Sequence, residues 1–235
     1  MENRENRGLS SSALRDLAML IMLVDHVGAV LLPQIGWLRA VGRLAFPIFA
    51  FQIGEGYRHT SDLKRYMSRL LLFALIAEIP FNLLISGSIR DSYHQNVLFT
   101  LLLGLIAISG VEKGKGCQGA MKSWLYSVAT PLLCIMAAGM LNTDYNWIGV
   151  VMVLGFHLFR NNRLLQLIMM IYLNQFCIQG RTFPFFGVTL QLQIFAVLAL
   201  LLIWSYNGQK GRGLNIGYWF YPGHMLLLAA LSMMM

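Results

Sequence analysis

Eight ionisable side chains fall inside stretches that are otherwise apolar: Asp25, His26, Arg39, Arg43, Glu55, Glu78, His157 and His224. A charge in hydrocarbon costs roughly 2.5–3.5 kcal/mol on insertion scales, so such residues mark function by default. His26 is the one suited to general-base work, because imidazole exchanges protons near neutral pH. Arg15 precedes it by eleven residues, about 16 Å along a helix, and eleven steps of about 100° return to within about 20° of the start. The two therefore share a face, with a cation at the mouth of a groove and a base at its end. A snorkelling arginine and a hydrogen-bonded packing histidine fit the same spacing.

The neighbouring charges bear on that base. Asp25 cannot pair with His26 by adjacency, since residues i and i+1 do not face each other on a helix. Arg39 and Arg43, at i and i+4 on the next apolar stretch, offer it cations, and Pro47 predicts a kink by freeing the carbonyl of Arg43. Glu78 lies eleven residues into the third stretch and is followed by Pro80 and Asn82. It could orient His26 through the second ring nitrogen, or bridge to Arg43 or Arg39 for folding alone. One network of Asp25, Arg43 and Glu78 around His26 is the expectation. The basic run containing Arg58, His59, Lys64 and Arg65 could receive the phosphates of a cofactor, or be plain loop or lipid-headgroup contact. His157 and His224, each alone in an apolar stretch, read as packed.

The elements that must hold these residues follow from hydropathy. Of 235 residues, 57% are apolar and 12% charged, about half the charged share of a soluble domain. Spanning helices need roughly 20 mainly apolar residues, and nine candidates occur: 14–33, 38–56, 67–85, 96–110, 124–141, 146–159, 164–179, 187–206 and 217–234. The expected fold is all-α, a polytopic transmembrane bundle of about nine spanning helices. Residues 1–12 form a cytoplasmic tail and 13–235 a single transmembrane domain. Fourteen of the eighteen Lys and Arg then fall in alternate loops, leaving Arg39, Arg43, Arg90 and Arg181 on the other side. Positive loops face the cytoplasm, which puts the N-terminus inside. The charge of +8 is therefore no sign of nucleic-acid binding. The first stretch lacks a small-residue cleavage site and carries Asp25 and His26, unlike a signal peptide. Cys117, Cys134 and Cys177 suggest neither a disulfide framework nor a metal site, and no nucleotide-binding loop, dinucleotide fingerprint, nucleophile elbow or zinc-protease motif is present.

Several stretches resemble the TraX family. They are Leu17-Ala18-Met19 and Leu23 through Gly28, then Gly42-Arg43-Leu44-Ala45-Phe46-Pro47-Ile48-Phe49-Ala50-Phe51, then Glu55-Gly56-Tyr57 with His59-Thr60. Glu78-Ile79-Pro80-Phe81-Asn82, Gln95-Asn96-Val97, Tyr145-Asn146-Trp147 and Tyr221-Pro222-Gly223-His224 belong to the same pattern. The resemblance implies a bacterial inner-membrane, multi-pass acetyltransferase that uses acetyl-CoA, the family being named for acetylation of the pilin N-terminus. Arg15 and His26, with ten residues between, are also similar to the Arg-x10-His pattern of membrane acyltransferases that decorate surface glycans. That likeness implies His26 as base and Arg15 as donor-site cation. For acetyl transfer at such a site, Arg43 is expected beside the thioester oxyanion and Arg58, His59, Lys64 and Arg65 near the CoA phosphates. The acceptor expected is a protein, peptide or glycan amine or hydroxyl, reached among membrane lipids. A transporter lined by the same charges, or a non-catalytic assembly factor pinned by them, are the alternatives.

Overall fold

The computed structural model describes residues 8–90, 93–178, 180–213 and 217–234. It is helical throughout except for one short hairpin. Arg4 and Arg7 of the expected tail lie outside the described residues. The elements are α1 (Ser11–Val30), α2 (Gly36–Gly42), α3 (Ala45–His59), α4 (Leu63–Ser86), α5 (Val97–Lys115), α6 (Ala120–Trp124) and α7 (Thr130–Met140). They continue with α8 (Asn146–Leu158), α9 (Arg163–Tyr172), β1 (Thr182–Phe185), β2 (Val188–Gln191), α10 (Ala199–Trp204) and α11 (Gly217–Met233). Wide π-turns extend two of them, Leu125–Ala129 joining α6 to α7 and Leu173–Cys177 following α9, while a 3-10 run, Leu192–Leu198, leads into α10.

Local chemistry sets the helix starts. Ser10, Asp62, Asn96 and Asn162 each accept a hydrogen bond from a backbone N–H two or three residues on, which satisfies a donor the first helical turn leaves open. Gly87, at φ 66°, closes α4 in the left-handed conformation that glycine adopts without strain.

Ten helical runs result among the described residues, and contacts at their ends show successive runs to alternate in direction, with α2 and α3 sharing one. At one end Leu9 N–H donates to Ser205 O at 2.8 Å, Gln52 Nε2 to Ser11 O at 2.9 Å, and Arg160 pairs with Glu55. At the other, Asp25 meets Arg39, Arg43 meets Gln193, and Gln95 N–H donates to Asn142 O. The first is the basic end. Helix α3 runs through the middle, against α1, α5, α8 and α10, and buries Phe46, Ile48, Ala50, Phe51 and Ile53. Three runs are long and apolar enough to cross a membrane: Leu63–Ser86, Val97–Lys115 and Ala120–Met140. Their outer faces are apolar too, with Leu72 and Leu75 on α4 and Leu133 and Met136 on α7 all more than half exposed.

Three expectations need correction. The second apolar stretch is two helices, broken at Arg43-Leu44, and α2 folds back on α1. Pro47 does not kink a continuous helix; it sits in the first turn of α3, where its missing N–H costs nothing. The stretch 187–206 does not begin as helix. Val188–Gln191 pairs antiparallel with Thr182–Phe185 across Phe186 and Gly187, which have φ of 47° and 80°. Two positive φ values match the twist a two-residue hairpin requires. Leu9, Ser11 and Ser12 bond to residues 205–210.

Candidate functional site

The site is assembled from the inner face of α1. Helix α2 packs so closely there that a Cβ on Gly42 would overlap the Asp25 side chain. This approach brings two arginines onto one carboxylate. Arg39 Nη1 donates to Asp25 Oδ2 at 2.5 Å and to its backbone O at 3.0 Å. Arg43 Nη2 stands 3.5 Å from Oδ1, an ionic contact too long for a good hydrogen bond. Arg43 also reaches Gln193 Oε1 at 3.4 Å and Arg39 O at 3.3 Å. Two cations share one carboxylate.

His26 follows Asp25 and turns to α11. Its Nδ1 is 2.7 Å from Nε2 of His224, with the rings nearly parallel, 5.0 Å between centroids and 7° between planes. His224 Nδ1 is 2.7 Å from Phe220 O. A carbonyl only accepts, so His224 carries its proton on Nδ1 and, when neutral, offers a lone pair at Nε2. His26 then donates from Nδ1, and its own Nε2 is left with the lone pair. His26 Nε2 has no hydrogen-bond partner among the described residues. The arrangement fixes one tautomer of His26 and presents one basic nitrogen.

A strained loop completes the wall. Tyr145, at φ 61°, lies between Asn142 and Asn146, both also positive, a conformation uncommon outside glycine. It stacks on Phe46 at 3.8 Å between centroids, and its phenol lies against Arg43 and Gln193. Asp144 beside it caps the turn by accepting from Tyr145 N–H at 3.1 Å, and its charge is felt by His26, Asp25 and Arg43.

Glu78 is elsewhere. Its Oε2 accepts from Asn96 Nδ2 at 2.5 Å and from Asn96 N–H at 3.3 Å, at the first turn of α5. Open N–H groups and the positive end of a helix dipole hold a carboxylate there. The single Asp25–Arg43–Glu78 network is therefore replaced by two, and the ring partner of His26 is His224. Sequence reasoning had assigned His224 to packing. Its signal was present in the cost of a histidine in an apolar stretch, but the partner lay 198 residues away.

Arg15 lies at the basic end of α1, with Asp16 Oδ1 3.1 Å from Nη2, and the side chain packs along Gly217 at the start of α11. Arg69 reaches over the Tyr218 ring nearby, 5.8 Å from its centroid. Arg58 and His59 go to a different place, a cavity of about 500 Å³ between the ends of α3, α5 and α8 that also involves Tyr57, Glu112, Lys115 and His157. Lys64 and Arg65 are exposed on the first turn of α4 and do not line it.

A chain with these features has known relatives. It is 29% identical over 249 residues to a probable fimbrial assembly protein FimC, serogroup H1, of Dichelobacter nodosus, covering 97% of this chain and 98% of that one. An Escherichia coli protein named Protein TraX is 25% identical over 149 residues, 63% of this chain and 55% of that protein. An uncharacterised Rickettsia prowazekii protein is 26% identical over 100 residues, 43% and 37% of the two chains. No solved structure matches. The model of the TraX protein family matches residues 10–232, from the cap of α1 to the last turn of α11, and the chain belongs to that family.

Proposed function

We propose that this protein is an integral membrane acetyltransferase that moves an acetyl group from acetyl-CoA to an amine or hydroxyl acceptor. The hydrogen-bonded series from Phe220 O through His224 to His26 carries the reading, because it prepares His26 Nε2 to take a proton. As the acceptor atom bonds to the acetyl carbonyl carbon, its proton passes to Nε2. The carbon–sulfur bond then breaks, and the imidazolium returns the proton to the departing thiolate. The guanidinium groups of Arg39 and Arg43 favour the negative charge that develops on the carbonyl oxygen.

Length favours one place for the donor phosphates. A pantetheine arm has the reach of about four extended residues, roughly 15 Å. Arg15 is about 16 Å from His26 along α1. The Arg58–His59 cavity is much farther. Gln52 is level with Ser11 through their 2.9 Å hydrogen bond, His26 lies fifteen residues one way and Arg58 six the other, about 30 Å in all. Arg15, with Arg69 across the mouth, is the donor-phosphate site of this proposal. The basic end faces the cytoplasm, where the donor is made, and the N-terminus is inside.

The D. nodosus relative's name supplies a candidate acceptor class, since the amino terminus of a fimbrial subunit is an amine of the required kind. The same name also favours a second reading, an assembly factor without catalysis. Purified protein in detergent, supplied with acetyl-CoA and followed by release of free thiol, separates them. His26→Ala is expected to lower the rate about 10²–10⁴-fold with helical content unchanged. A wild-type rate no higher than that of the mutant would favour the assembly factor.

A further inference from the structure

The cavity at the basic end remains without a role, being too far from His26 for an occupant to reach the reacting atoms. We propose that it is a second ligand site, one that binds a phosphate group, independent of the acetyl-transfer reading. The argument starts from its carboxylates. Glu112 Oε1 accepts from Lys115 Nζ at 2.6 Å and lies 2.8 Å from His157 Nε2. Glu55, just behind the wall, is held by Arg160 through Nε at 2.6 Å and Nη2 at 3.2 Å. Each carboxylate thus has cations of its own.

Arg58 is left over. It lines the cavity on the last turn of α3 and makes no hydrogen bond or ion pair among the described residues. The charges lining the cavity, Arg58, Lys115 and Glu112, sum to a net positive value. A planar guanidinium presents paired donors that match two phosphate oxygens; Tyr57 and His59 line the same cavity, His59 with its Nε2 3.7 Å from Glu55 Oε2. A volume of about 500 Å³ is that of a small-molecule site. His157 is almost fully buried, 8% exposed at its side chain, and its bond to Glu112 fixes the cavity floor rather than filling it. The phosphate comes from one of two sources, the headgroup of an anionic phospholipid or a soluble phosphorylated molecule.

Full-length protein tests both. Native mass spectrometry from detergent reads retained phospholipid, and calorimetric titration with inorganic phosphate and with ADP reads the soluble source. Wild type is expected to bind by one route. Arg58→Glu should weaken that binding at least tenfold, Lys115→Gln by less, and Lys122→Glu, a matched charge change at the same end outside the cavity, should leave it intact. Arg58 is exposed and unpaired, so its variant should fold as wild type. Equal binding by Arg58→Glu and wild type, or no binding of any probe by wild type, overturns the proposal. Because His26 takes no part, His26→Ala should bind as wild type even where transfer is lost.

Discussion

At the scale of single residues, the proton on His26 is decided by an atom outside the ring. Phe220 O forces the tautomer of His224, and His224 forces that of His26. Removing the middle member should therefore damage chemistry without touching donor binding. His224→Phe keeps a ring between α1 and α11 but gives Nδ1 of His26 no acceptor, so both tautomers become accessible. The expected outcome is a fall in kcat of about tenfold to a hundredfold, smaller than loss of the base itself, with KM for acetyl-CoA unchanged. His224→Gln, whose amide oxygen can accept from Nδ1, should recover much of the rate. A purely packing role for His224 would give the reverse order, with the bulkier Phe tolerated better than Gln. Legibility at this scale was uneven. Asp25, His26, Arg39 and Arg43 stood out because a charge in an apolar stretch is costly, and helical spacing placed them. Glu78 stood out equally, yet spacing along one helix cannot say which neighbouring helix it faces, and Asn96 claims it.

Elements position these residues through close approaches that a hydropathy profile cannot register. Helix α2 reads in sequence as the start of a long apolar helix, because Gly36–Gly42 and Ala45–His59 are both apolar and only Arg43-Leu44 separates them. What turns the chain there is tertiary, the seating of α2 against α1 with Gly42 on Asp25 and Gly28 on Leu38. The β-hairpin escaped for a related reason. Val188 and Leu190 suit a strand and an apolar helix alike, and periodicity over so short a run does not choose. The helical runs themselves were legible, because their apolar lengths are set before any packing occurs. The close approach makes a sharp prediction. Gly42→Val places a branched side chain where the Asp25 carboxylate sits, which must push α2 outward and lengthen the Arg39–Asp25 contact. Overpacking of this kind costs about 1–3 kcal/mol, to be read as a lower thermal midpoint in detergent, and activity should fall with it. Gly36→Ala, on the same helix with nothing within 4 Å of its new methyl, should leave both unchanged. Equal effects at the two positions would show that helix propensity, not the approach to Asp25, governs this segment.

Across the whole molecule, chemistry and charge lie at different depths. The basic end gathers Arg15 and Arg69 among its cations, while His26 lies well inside from that mouth, next to the cluster where Asp25 meets Arg39 and Arg43 of α2 and its cap. Alternation of the basic loops foreshadowed this polarity, since each reversal of the chain returns Lys and Arg to one end. The depth of His26 followed from counting along one helix. The packing of α11 against α1 did not, because it depends on how the last helix docks against the first. That seam runs from Arg15, packed on Gly217, to His224 seven residues further along α11, and in the proposed reaction the thioester arm lies along it. Arg15 should therefore act on binding alone. Arg15→Ala is expected to raise KM for acetyl-CoA about tenfold at nearly constant kcat, since a cation about 16 Å from the base cannot touch the reacting carbonyl. The paired measurement uses a short acyl thioester lacking the nucleotide, such as acetyl-pantetheine. It has no nucleotide phosphates for Arg15 to hold, so wild type and Arg15→Ala should handle it alike. If Arg15→Ala lowered kcat for both donors equally, Arg15 would be shaping the α1–α11 seam itself, and the donor phosphates would have to be sought at another part of the basic end.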